Sequence, residues 1–206
     1  MKAILLSLLI ISGVFIYSDS FAQSKIFIKA IGSRGDGMTS GIFDGGSAVV
    51  GHEKEIEAFA YSDGMAGCAA LAGGGGGGGG ACKVTQSPFT FTMPLSFAVI
   101  SFKYNLLVGK FLTSVDMEVA KNTNNEGGPS TYYKVHMEEV LISSISEGLS
   151  TATSEGATDG PTFSLEIIPT RIAWQVIKQN ADGRPGATFS FGWDFRQNRK
   201  FNYAFP

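Results

Sequence analysis

Three glutamates, Glu53, Glu55 and Glu57, occupy every second position of one short stretch. On a strand this spacing puts their carboxylates on one face at steps of about 6.6 Å. That distance overlaps the roughly 6.5–9.5 Å between the acid and the base of an inverting glycoside hydrolase. No sequence feature sets a substrate cleft above them, and like charges in a row repel unless they are wet or paired. The pattern therefore reads as a solvated row of carboxylates. Ser, His and Asp are all present, but no Gly-x-Ser-x-Gly elbow occurs, so a hydrolytic triad has no local signature.

Cys68 and Cys82 flank the octaglycine Gly73 to Gly80. In an oxidising compartment the pair is expected to form a disulfide. It would close a 15-residue loop and contribute about 3 kcal/mol in the chain-entropy model. A bridge to a neighbouring copy, free thiols, or a metal site with His52 and His136 stay open as alternatives. Two cysteines 14 positions apart lack the close-paired ligand spacing of structural zinc sites. The glycine run superficially resembles a phosphate cradle, yet Cys82 precedes Lys83 and no Gly-Lys-Ser/Thr ending follows. Arg34-Gly35-Asp36 is a tripeptide that can bind integrins, and three residues recur by chance. No cofactor and no metal are expected.

The elements that must position these residues follow from composition and periodicity. The chain has 206 residues, 44% apolar and 12% aromatic, enough to bury a sizeable core. Sixteen Lys and Arg against 18 Asp and Glu leave a net charge of −2, which gives no basic field for nucleic acid. Met1 to Ala22 carries one basic residue, an apolar run from Ala3 to Tyr17, and small residues at Ser20 and Ala22. This is the pattern of a cleaved secretory signal peptide, and about 15 apolar residues fall short of the roughly 20 that span a bilayer. The expected mature domain is 23–206, outside the cytoplasm and not in a membrane.

Within it, strands are expected at Lys25–Ala30, His52–Ser62, Pro88–Met93, Thr113–Val119, Tyr133–Met137, Thr162–Lys178, Ala187–Trp193 and Lys200–Phe205, from alternation or apolar runs. Phe89, Phe91 and Met93 share one face, as do Val115, Met117 and Val119. Phe163, Leu165 and Ile167, then Ile172, Trp174 and Val176, mark packed positions of one long or bent strand. Trp174 and Trp193 read as core or interface residues. One helix is expected over Leu95–Val108, with Leu95, Val99, Phe102 and Leu106 as its stripe and Gly109 as a left-handed stop. Asn180-Ala181-Asp182-Gly183 is a hairpin signal. One helix among eight or nine strands points to a single β-barrel or sandwich.

Several stretches in order resemble the Hcp family, the tube-forming component of type VI secretion systems. They are IFIKAIGSRGD (Ile26–Asp36), GHEKEIEAFAYSDG (Gly51–Gly64), FTFTMPLSFAVISFKYNLLVGK (Phe89–Lys110), YYKVHMEEVLISSISEG (Tyr132–Gly148), and PTFSLEIIPTRIAWQV with FGWDFRQN after it. The resemblance implies a mainly β fold, a barrel of two sheets flanked by one α-helix, and hexameric rings that stack into a hollow tube. It implies an inter-ring loop containing Gly64, Cys68, Gly73, Gly80 and Cys82. The partners implied are further copies of the chain, with a spike protein or effector cargo. Family members show a Ser-Pro pair opening the helix where this chain has Val99-Ile100, which makes Ser96 the expected cap. They also carry no export signal, so the expected product is an extracytoplasmic, non-catalytic tube or filament. The alternative is a secreted ring or monomer that carries cargo or adheres to a surface. An enzyme would need Glu55 or Glu57 for its chemistry.

Overall fold

The computed structural model describes residues 24–33, 41–67, 84–121, 129–150, 160–180 and 184–206. The signal-peptide reading of residues 1–22, Arg34-Gly35-Asp36, and the expectations on Cys68, Gly73, Gly80 and Cys82 lie outside those residues. In chain order the elements are β1 (Ser24–Gly32), β2 (Gly41–Ile42), β3 (Ile56–Ala58), β4 (Ala60–Ser62), β5 (Met65–Ala66), β6 (Thr85–Gln86) and β7 (Phe89–Pro94). Helix α1 (Ala98–Val108) follows, then β8 (Leu112–Lys121), β9 (Ser130–Ser150), β10 (Gly160–Gln179), β11 (Pro185–Asp194) and β12 (Arg199–Lys200). The chain is mainly β with one helix among the described residues, as its periodicity predicts.

Every pairing is antiparallel. One sheet runs β11–β10–β9–β8–β1, and β3 takes the free edge of β1 through Ile28 opposite Ile56. At the other side β7 pairs with the first half of β10, with Phe163 opposite Met93. β4 then pairs with β7, with Tyr61 opposite Phe91. Because β3 and β4 are consecutive pieces of chain, the sheet closes on itself into a barrel. Phe59 between them donates its N–H to the Thr92 carbonyl at 2.8 Å. β5 and β6 form a separate two-stranded ribbon.

Closure requires β9 and β10 to serve two walls at once. The first half of β10 pairs with β7 and the second half with β11. The β9–β10 register skips one residue between Glu166 and Ile167, and Glu139 adopts a left-handed φ of 49°. An extra residue bends a strand and switches which face its side chains meet. The extra residue at the skip is Ser143 of β9; β10 keeps Phe163, Leu165 and Ile167 inward and changes face beside Thr170, opposite Glu139, so that Ile172 points inward next. Thr170 Oγ1 donates to the Glu139 carbonyl at 3.2 Å. Arg171 Nη2, at 3.2 Å, and Arg196 Nη2 both donate to the Glu139 carboxylate. The irregular backbone is held from both sides. Val176, expected among the packed positions, is half-exposed because the barrel wall has already turned away there.

The core is aromatic and aliphatic: Phe89, Phe91, Phe102, Phe163, Ile28, Ile56, Met117 and Met137 are all fully buried. α1 joins it by Phe102, whose ring meets Phe43 edge-on at 5.1 Å and stacks on Phe163 at 6.0 Å. The helix begins three residues later than its sequence suggests. Leu95 is half-exposed and leaves the stripe, and Phe97 is the N-cap with no side-chain cap bond. Ser96 does not cap, and its buried Oγ has no partner. The C-terminus behaves as expected. Gly109 is left-handed at φ 64°, its N–H bonds the Leu106 carbonyl, and the Lys110 N–H bonds the Asn105 carbonyl. These paired bonds make a Schellman stop.

Two further expectations are corrected. His52–Ser62 is not one strand: residues 52–55 turn, with Lys54 at φ 66°, before β3 and β4. Lys200–Phe205 is not a strand beyond β12, because residues 201–206 leave the sheet and lie across it. Phe102→Ala should cost about 3–5 kcal/mol, since it empties the space between helix and barrel. Urea unfolding with an unchanged slope and a lower midpoint is the expected result.

Candidate functional site

The acidic triplet comes apart in three dimensions. Glu53 Oε1 accepts the Gly51 N–H at 3.2 Å, and backbone hydrogen bonds hold its carboxyl below the usual range. Glu55 Oε2 lies 2.8 Å from His52 Nδ1. Glu57 Oε1 accepts the Ser47 hydroxyl at 2.9 Å, and its second oxygen is 3.6 Å from Lys25 Nζ. Each carboxylate secures a different part of the turn that folds over β1. That turn stacks His52 on Phe27 at 3.8 Å and 4°. The triplet thus shares no face and frames no cleft for an acid and a base.

The chain's other imidazole sits in a row that crosses five strands. Lys29 faces Asp116, Asp116 faces His136, His136 faces Ala173, and Ala173 faces Gly192. The row lies outside the barrel, since Met117, Val135 and Met137 next to it point into the core. His136 Nδ1 is 2.5 Å from Asp116 Oδ1 and Nε2 is 3.3 Å from Glu138 Oε1. Burial pulls the imidazole's pKa down, but the hydrogen bonds and charges of Asp116 and Glu138 outweigh it and leave it above the ordinary value.

Residues 201–206 run along this row. Phe201 donates its N–H to Gly192 O at 2.9 Å, and its ring receives the Arg171 guanidinium at 5.3 Å. Tyr203 lies flat on His136 at 3.7 Å and 8°, Phe205 meets Tyr203 edge-on at 4.9 Å, and Lys134 Nζ reaches Pro206 O at 3.4 Å. Sequence periodicity reads Phe201, Tyr203 and Phe205 as strand residues and does not link them to His136. The small residues Ala173 and Gly192, aligned across strands, are the signal that a segment lies down here. Only the register brings them together.

Surfaces suited to association lie elsewhere. On α1, Phe97, Ile100, Leu107 and Val108 are exposed, Phe97 by 83% and Leu107 by 84%. Their spacing puts them on the side of the helix away from Val99, Phe102 and Asn105. On the β10–β11 hairpin, Val176, Phe189 and Phe191 are exposed. Beside them an apolar groove of about 310 Å³ is lined by Met65, Val84, Trp174, Phe191, Trp193 and Phe195. Both tryptophans are thus partly buried groove residues. Gly64 stands at the base of the β5–β6 ribbon, where its carbonyl accepts the Ser87 N–H at 2.8 Å.

Tyr61 and Tyr133 stack at 6.4 Å, and burial pushes both phenols upward, so they remain neutral. Among the described residues no three His, Cys, Asp or Glu side chains converge on a metal position. No helix among them is long and apolar enough to cross a membrane.

A Cβ at position 192 would fall 2.5 Å from Phe201 O. Gly192→Ala should therefore lift the terminal segment while the barrel stays folded. The expected readout is faster trypsin cleavage after Lys200 with an unchanged urea slope.

Comparison with known proteins agrees with this architecture. The sequence model of the family described as "Type VI secretion system effector, Hcp" matches residues 28–176, more than half of the chain. No curated protein matches. A solved structure titled "Structure of a type six secretion system protein" has TM-score 0.69 at 20% identity, over 87% of this chain and 100% of that one. Hcp1 from Salmonella typhimurium has TM-score 0.63 at 20% identity, over 86% and 99%. A third, titled "Crystal structure of Hcp protein", has TM-score 0.62 at 22% identity, over 84% and 99%. These TM-scores show a shared fold, and the family match extends from β1 through most of β10. The chain belongs to the Hcp family of type VI secretion system proteins.

Proposed function

We propose that the mature chain, residues 23–206, is a non-catalytic tube subunit whose copies form hexameric rings that stack outside the cytoplasm. One observation carries this reading: α1 is apolar on two opposite sides. Val99 and Phe102 face the barrel, while Phe97, Ile100, Leu107 and Val108 face outward. A helix apolar all round is one that packs on both sides. The β10–β11 hairpin offers a second apolar surface of different shape, with Phe189 and Phe191. Two unlike surfaces on one chain suit a head-to-tail contact, which makes a ring when the rotation closes.

In this reading the segment carried on the β5–β6 ribbon, containing Gly64, Cys68, Gly73, Gly80 and Cys82, is the inter-ring loop. A Cys68–Cys82 disulfide would shorten its free length. Residues 1–22 would direct export. A spike protein or effector cargo follows from family membership.

Electron microscopy and native mass spectrometry of the mature protein test the assembly, with six-membered rings expected. Leu107→Asp with Phe97→Asp should abolish rings and leave a folded monomer. Monodisperse wild-type monomers at high concentration overturn the proposal. An intact mass that starts at Gln23 and falls about 2 Da short of the dithiol is expected for one intramolecular bond.

A second reading, a secreted cargo-binding or adhesive module, draws on the apolar groove beside Trp174 and Trp193. It predicts co-purifying cargo without rings.

A further inference from the structure

We infer that residues Phe201 to Pro206 form a latch over the outside of β8 and β9, held by the imidazolium form of His136 and loosened when that ring loses its proton. Both ring nitrogens face carboxylate oxygens, Nδ1 toward Asp116 and Nε2 toward Glu138. A neutral imidazole has one N–H and one lone pair, so only the doubly protonated ring donates to both. Deprotonation turns one of these contacts into a lone pair against an anion.

The same charge holds the latch. Tyr203 covers the imidazole face at 3.7 Å and leaves His136 only 7% exposed. A cation beneath an aromatic ring is attracted by the ring's quadrupole, and a neutral ring loses that attraction.

The surrounding charges include Glu55 of the 52–55 turn and Lys200 of β12, which line clefts beside Tyr203. β8 supplies Asp116 and Glu118, and β9 supplies Glu138 and Lys134. From β1, Lys29 faces Asp116 across the strand pair, and Lys134 pairs with Glu118 at 3.1 Å. From β10, Arg171 Nη2 bonds Glu138 at 2.8 Å. The latch itself places the Tyr203 phenol there, raised first by burial and then by Asp116 and Glu138, so it stays neutral. Among these groups His136 is the one whose ordinary titration falls near neutrality.

Tyr203 also lines two clefts. One contains Lys29, Glu55, Asp116, Glu118 and Lys134, and the other contains Ser33, His136, Glu138, Glu139 and Arg171. Lifting the latch would join them into one charged groove and uncover the face of His136 on which Tyr203 lies.

The direction follows from linkage. A histidine whose folded pKa is raised contributes its full stabilisation below about pH 6.5, and the contribution is lost as pH rises through the folded value. Amide hydrogen exchange of the terminal segment in the purified protein, corrected for intrinsic rates, measures this between about pH 5.5 and pH 9. Protection should fall by about tenfold or more, the loss expected when one hydrogen bond to a charged group is given up. Its midpoint should coincide with the titration of the His136 ring protons in nuclear magnetic resonance spectra.

His136→Asn should abolish the pH response and leave protection low throughout, and His52→Asn should keep the wild-type response. Flat protection in the wild type overturns the inference, as does a pH response that persists in His136→Asn. If His136→Asn does not fold, the two wild-type midpoints decide, and separate midpoints overturn it.

Discussion

A curled sheet has to change direction without losing the inward side of its strands, and here that constraint is met in the β9–β10 pair. A strand of 21 residues that kept perfect alternation would carry its apolar face out of the core once the sheet bent. The skipped register near Glu166 and the left-handed Glu139 absorb the change of face. Such backbone persists where its surroundings over-determine it. Thr170, Arg171 and Arg196 supply those surroundings through hydrogen bonds to the carbonyl and carboxylate of one residue. Closure through β3, β4 and β7 depends on this bend, because it sends β7 and β11 to different stretches of the same strand.

The closed barrel then determines what is left outside. Its interior is filled by rings such as Phe89, Phe91 and Phe163, and α1 contributes Phe102 from one side. Only one face of a surface helix can be used this way. The remaining apolar side chains of α1 point away from the barrel, and burying them needs a second body. Closure removes most sheet edges as well, so the barrel exposes apolar side chains on the helix and the β10–β11 hairpin more than unpaired backbone.

The outer wall carries the polar chemistry. His52 and His136 each lie against an aromatic ring with a carboxylate at hand, yet their settings differ. His52 Nδ1 meets Glu55, and the ring belongs to the turn that covers β1. His136 is wedged between Asp116 and Glu138 beneath Tyr203. A buried, fully engaged imidazolium is a sensitive group, because removing its proton removes several interactions together.

Local spacing along the chain suffices for the inward faces of β7 and β8, the Phe102 stripe and the Gly109 stop, and five ordered stretches carry the family. These features depend on neighbours within a few residues, and a period of two or 3.6 records them directly. It took the three-dimensional arrangement to separate Glu53 and Glu55, in a turn, from Glu57 on β3, to leave Ser96 without a capping bond, and to lay Tyr203 over His136. The last of these depends on register between segments far apart in the chain. Lys29, Asp116, His136, Ala173 and Gly192 become one row only when five strands align, and local periodicity carries no trace of that alignment.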